Sequence, residues 1–174
     1  MSAGGLLVGA TVNRSPDLFR AALASVPFLD AAGTLQDSSL PLTANEWEEF
    51  GNPNEASGHA EVMAFSPVHN VRQGVRYPAC LLLPALNDAR TGFWEAHKYA
   101  HAIRTNGYAP SMGGSTEADG EVGDLPSDGP ARPVLVATDM EGGHFRSAVP
   151  AERAAQRAKE LAFLVAFCRR DDGE

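Results

Sequence analysis

Two short, unbroken apolar runs, Pro78-Ala79-Cys80-Leu81-Leu82-Leu83-Pro84 and Pro133-Val134-Leu135-Val136-Ala137-Thr138, constrain this 174-residue chain more than any other feature. Neither alternates with polar residues, and both read as strands buried on two faces. Such strands belong to parallel sheets whose crossovers are helices. A third strand is expected over Ala22 to Pro27, after a helix start at Ser15-Pro16-Asp17 with its cap and its proline at the first position. Gly4 to Val12 reads as a helix, and Thr43-Ala44-Asn45-Glu46 as a capping box opening another. Phe93, Ala96, His97, Ala100 and Ile103 recur on one helical face that Gly107 would end. Pro150 to Cys168 reads as the closing helix, with Leu161, Leu164, Val165 and Cys168 toward the sheet. The predicted class is α/β, a parallel sheet flanked by helices.

Loops at the carboxyl ends of parallel strands are where reactive groups gather. The first run empties into Asn87-Asp88 and the second into Asp139-Met140-Glu141-Gly142-Gly143-His144. An acid and a histidine are thereby expected side by side. A nucleophile is offered by Met1-Ser2-Ala3-Gly4-Gly5-Leu6-Leu7, which matches the right half of a G-x-S-x-G-G turn that lifts a serine hydroxyl between strand and helix. Each residue has an ordinary reading: a flexible small-residue terminus, a turn carboxylate, a loop histidine beside two glycines. In the order serine, acid, histidine, on these strand ends, they point to a catalytic triad. A serine hydroxyl needs a base to take its proton, and that base needs a carboxylate to hold its tautomer.

The ordered set Ser2-Ala3-Gly4-Gly5-Leu6-Leu7, Pro16-Asp17-Leu18-Phe19, Val26-Pro27-Phe28, Leu40-Pro41-Leu42-Thr43, Glu46-Trp47-Glu48-Glu49-Phe50-Gly51-Asn52-Pro53, Ser66-Pro67, Asn70-Val71, Asn87-Asp88, Trp94-Glu95 and Asp139-Met140-Glu141 through His144 resembles the prolyl oligopeptidase family of serine peptidases, in particular its oligopeptidase B branch. The resemblance implies the C-terminal portion of an α/β-hydrolase fold, truncated before the nucleophile strand and without the family's N-terminal β-propeller, so that residues 1–174 form part of the catalytic domain. It implies Ser2 as nucleophile, His144 as general base and Asp88 as its orienting carboxylate. The Ala3 N–H would be one oxyanion donor, its partner being a tyrosine from a preceding segment. Glu46 and Glu48 would hold a basic side chain before the scissile bond, and Arg90 the substrate backbone. The implied activity is endopeptidase cleavage of short peptides after arginine or lysine, with no cofactor and no metal. Prolyl endopeptidase, acylaminoacyl peptidase and esterase activities share the fold. An inactive truncated product that exposes apolar surface is the alternative of another class.

Composition narrows the rest. A net charge of −8 disfavours nucleic acid and suits basic ligands. No stretch reaches the roughly 18 apolar residues of a membrane span. Two cysteines, Cys80 and Cys168, read as buried thiols in a reducing, cytoplasmic setting. Residues 109–132 carry Glu117, Asp119, Glu121, Asp124 and Asp128 among glycines and prolines, and read as a disordered acidic insertion. His97 and His101 have chelating spacing, but Lys98 stands where a zinc-protease helix needs glutamate. Trp47 and Trp94 read as packing residues.

Overall fold

A computed structural model of the chain describes residues 1–106 and 132–168. Three strands, β1 (Ala21–Ser25), β2 (Ala79–Leu83) and β3 (Val134–Val136), lie parallel in the order β1-β2-β3. Among the described residues, six α-helices accompany them: α1 (Ala3–Arg14), α2 (Ala31–Thr34), α3 (Thr43–Phe50), α4 (Ala56–Phe65), α5 (Phe93–Asn106) and α6 (Pro150–Cys168). The expected acidic insertion falls, apart from Arg132, outside the described residues, as does the expected stop at Gly107. No helix among the described residues is long and apolar enough to cross a membrane.

The period of two along each strand divides the core. Ala24, Cys80, Leu82 and Val134 pack with Val12 of α1 and with Tyr99 and Ile103 of α5. Ala79 and Leu81 face the other way, against Phe163, Leu164 and Phe167 of α6. Continuous apolar strands result because both faces are covered. Burial pushes the Cys80 thiol up to about 12, so this cysteine is a packing residue. A second cluster, Phe28, Ala31, Ala32, Leu35 and Val62 with Trp47 and Phe50 against it, organises the long β1–β2 crossover. The Trp47 indole donates to the Leu35 carbonyl at 2.9 Å.

Several local expectations shift. Of the stripe Leu161, Leu164, Val165 and Cys168, expected to face the sheet, Leu161 and Val165 are 47% and 56% exposed and Cys168 is exposed. The buried stripe is Glu160, Phe163, Leu164 and Phe167, the same i, i+3, i+4, i+7 spacing shifted one residue toward the N-terminus. Two phenylalanines outweigh the aliphatic stripe, and the carboxylate they bring inward is neutralised: Glu160 takes Arg146 at 2.7 Å and Arg157 at 2.9 Å. Thr43 does not cap α3, because its hydroxyl is buried and donates to the Thr34 carbonyl at 3.2 Å, leaving Leu42 at the cap position. Ser15-Pro16-Asp17 opens only a 3-10 turn, Pro16–Leu18, without a side-chain cap. His97 is exposed and pairs with the Thr138 hydroxyl, while Glu95 and Tyr99 take the buried face of α5.

Glu95 is fully buried and braces the segment after β1. Its Oε2 accepts Leu29 N–H at 2.7 Å and Asp30 N–H at 2.8 Å, and its Oε1 accepts the Thr34 hydroxyl at 2.9 Å. Helix α1 also presses on this segment: a Cβ at Gly5 would stand 2.5 Å from Pro27 Cβ, so only glycine permits the approach.

Candidate active site

The loops after β2 and β3 are stitched together before any reactive group is considered. Asp139 N–H donates to the Pro84 carbonyl at 2.9 Å, Leu86 N–H to the Asp139 carbonyl at 2.8 Å, and Asn87 N–H to the Gly142 carbonyl at 3.1 Å. The Asp139 carboxylate turns the second loop by accepting Glu141 N–H and Gly142 N–H at 3.1 and 2.8 Å. A Cβ at Gly142 would meet that carboxylate at 2.4 Å, which explains the glycine. The parallel strands thus deliver Asp88 and His144 to one place.

There His144 Nδ1 lies 2.8 Å from Asp88 Oδ2 and 3.0 Å from Oδ1. Burial works against the Asp88 charge, but the Thr91 and Arg90 N–H groups, His144 and the Thr91 hydroxyl outweigh it and hold the carboxyl below its ordinary value. An ionised carboxylate can only accept, so Nδ1 carries the proton and Nε2 is left with its lone pair. The His144 and Asp88 side chains are 8% and 0% exposed. Thr91 is a member of the site that the sequence reading misses. It sits three residues after Asp88, the spacing of a side-chain-capped turn, and that D-x-x-T pattern is the signal that could have found it.

Ser2 stands at the carboxyl end of β1 with φ 53° and ψ −132°, a backbone state that L residues rarely adopt. Four hydrogen bonds over-determine it: its N–H donates to Val26 and Ser25 carbonyls at 3.1 and 3.3 Å, and its carbonyl accepts Gly5 and Phe28 N–H at 2.7 and 3.1 Å. Strain of this kind persists only where the surroundings enforce it, and it clusters at reactive sites. Val26, at φ 39°, is strained beside it. The Val26 carbonyl oxygen also lies 3.0 Å from the Thr91 hydroxyl, which stands 2.9 Å from Asp88 Oδ2 and 3.5 Å from His144 Nδ1. The one Thr91 hydroxyl proton can bond only one of the two oxygens, so Thr91 stands between the serine turn and the acid and does not tie both to a single atom. Ala3 begins α1, and as a first-turn N–H it has no intrahelical acceptor. Among the described residues, no hydrogen bond joins the Ser2 hydroxyl to His144.

A cavity of about 450 Å³ opens beside His144, lined among others by Met1, Leu83, Met140 and Glu160, but not by Ser2. Its wall includes Arg146, held by Glu160 of α6. Glu160→Ala is expected to lower stability by about 1–3 kcal/mol, since it strands two guanidinium groups that are themselves part-exposed. Thermal unfolding checks this; an unchanged midpoint would contradict it.

The expected specificity residues are only partly assembled. Glu46 is half-buried on α3; desolvation raises its carboxyl pKa, Glu49 adds to that, and the Arg90 charge opposes it. Glu48 is exposed two positions on, a spacing that does not share a helix face with Glu46. Arg90 is exposed, its N–H donating to Asp88 Oδ1 at 2.8 Å and its guanidinium carbon 5.1 Å from the Phe145 ring centroid. No group of three or more metal-ligating side chains occurs among the described residues.

Residues 1–119 match the model of the prolyl oligopeptidase family. The dipeptidyl aminopeptidase BI of Pseudoxanthomonas mexicana is 33% identical over 164 residues, 94% of this chain and 20% of the relative. Protease 2 of Moraxella lacunata is 30% identical over a similar span, 21% of its length. Among solved structures, oligopeptidase B from Leishmania major superposes with TM-score 0.78 at 35% identity, over 95% of this chain and 20% of that one. Oligopeptidase B from Trypanosoma brucei, in a closed form with covalently bound antipain, gives 0.75 at 38% identity, with the same coverage. The chain spans about a fifth of the length of the relatives it matches.

Proposed function

The chain belongs to the prolyl oligopeptidase family and carries part of its α/β-hydrolase sheet, and on that premise we propose that residues 1–174 supply the triad-bearing part of a serine peptidase catalytic domain. The observation that carries the reading is the His144–Asp88 contact at 2.8 Å, on the strand ends beside a strained serine turn. His144 Nε2 takes the Ser2 proton as Oγ attacks the peptide carbonyl, then returns it to the leaving amine. Asp88 stays ionised, fixes the tautomer and stabilises the imidazolium. The Ala3 N–H donates to the developing oxyanion in this reading. Covalent antipain on the Trypanosoma brucei relative agrees with a nucleophilic mechanism.

The substrates in this reading are short peptides cut after arginine or lysine. Glu46 supports it, because a part-desolvated carboxylate near the site favours a guanidinium through charge-assisted hydrogen bonds. Glu48 would join it only from another face of α3, so Glu46 carries the larger share.

Fluorophosphonate labelling and cleavage of arginyl, lysyl and prolyl reporter peptides by the native protein test the proposal. Labelling confined to Ser2 and faster turnover after arginine are expected, and Glu46→Gln should lower kcat/KM for arginyl substrates about 10- to 100-fold, the worth of one charge-assisted contact. Faster cleavage after proline would replace the basic preference, and absence of labelling would remove the peptidase reading.

A further inference from the structure

Phe145 directly follows the proposed base and is 69% exposed, an expensive place for a bare aromatic ring in water. It is not idle there. Its ring stands T-shaped to His144, with centroids 5.4 Å apart, and the Arg90 guanidinium lies over it at 5.1 Å. That guanidinium makes no hydrogen bond or ion pair with any described residue; only the Arg90 backbone is tied, to Asp88. A long side chain with a free head samples many rotamers, and losing that freedom on binding weakens affinity. The Glu46 carboxylate acts on the guanidinium through charge alone, and the electron-rich ring face is the contact that selects among the rotamers.

We propose that Phe145 is a positioning residue for Arg90, holding the guanidinium by a cation–π contact so that it meets the carbonyl groups of a bound peptide already oriented. The inference rests on the peptidase reading given above. The ring bridges two groups with different roles, since its edge-to-face contact fixes Phe145 against the imidazole and its face then fixes the arginine. A leucine at 145 would cover similar surface without a quadrupole, and a tyrosine would keep it.

The test compares wild type, Phe145→Tyr and Phe145→Leu of the native protein, each with Arg90 or Arg90→Met, on an arginyl dipeptide reporter. Phe145→Leu is expected to raise KM about two- to fivefold with the loss in KM and not in kcat, as an exposed cation–π contact predicts. Phe145→Tyr should match wild type, and Phe145→Leu should add nothing in the Arg90→Met background. An unchanged KM in Phe145→Leu, or the same rise without Arg90, would overturn the proposal. Calorimetric binding of the uncleaved dipeptide to the same variants in a Ser2→Ala background repeats the comparison without turnover. An Arg90-dependent affinity loss, together with absence of fluorophosphonate labelling in the protein that retains Ser2, would refute the peptidase reading and keep the pairing. Labelling and cleavage with no change in KM or affinity would refute the pairing alone.

Discussion

Ser2→Ala, Asp88→Ala and His144→Ala are each expected to lower kcat for peptide cleavage by on the order of 10⁴- to 10⁶-fold, and the triple variant to lie no lower than the weakest single one. The reason is that, in the proposed mechanism, the groups perform one proton transfer. Without His144 the serine proton has no acceptor, and without Ser2 the base has nothing to activate. Asp88→Asn separates orientation from bulk. An amide can keep accepting Arg90 and Thr91 N–H through its oxygen, but its nitrogen would then face His144 Nδ1 and drive the proton to Nε2. A loss of roughly 10⁴-fold with folding intact is the expected outcome. Steady-state kinetics on variants checked for wild-type unfolding midpoints decides it. Additive losses across the three sites, or more than a few per cent activity in Ser2→Ala, would dissolve the triad.

Glu95→Ala should produce the largest loss of stability, about 3–5 kcal/mol, because it leaves the Leu29 and Asp30 N–H groups and the Thr34 hydroxyl buried without an acceptor and opens a void. Glu95→Gln should cost far less. Its oxygen can take both N–H groups and its amide can donate to Thr34. The two forms also differ in pH response. Burial pushes the Glu95 carboxyl up to about 7 against the hydrogen bonds that favour its charge. The folded chain therefore holds a proton that the unfolded chain releases near 4.5. The stabilisation from that proton is complete below pH 4.5 and disappears as pH rises through about 7. Denaturant unfolding at pH 5 and pH 8 should show stability falling for wild type with a contribution that Glu95→Gln lacks. Equal slopes for both proteins would mean Glu95 stays ionised throughout.

Glu95 illustrates what the sequence conceals. The apolar runs at 78–84 and 133–138 announce parallel strands, and with them the neighbourhood of Asp88 and His144, because strands covered on both faces have little freedom of arrangement. The Ser2 turn is legible from its small residues. Buried polar residues are not: Glu95, Glu160 and Thr43 look like surface positions until their partners, supplied from 61, 14 and 9 residues away, come into view. The α6 stripe is misread for the same reason, since a rule that seeks apolar neighbours discards the face centred on a paired glutamate. Thr91 and Asp139 act through turn chemistry, which short D-x-x-T and D-x-x-G spacings encode only weakly.

The Val26 carbonyl oxygen receives the Ser2 N–H at 3.1 Å and lies 3.0 Å from the Thr91 hydroxyl that touches Asp88. Val26 thus touches both the Ser2 backbone and the side chain that supports Asp88, so in the proposed triad the separation of serine and acid is set locally at the tip of β1. A proton relay is sensitive to that separation and indifferent to where the pair sits in space. In the proposed triad, the short chain of contacts from Ser2 through Val26 and Thr91 to Asp88 would hold that separation without requiring the whole sheet to be rigid.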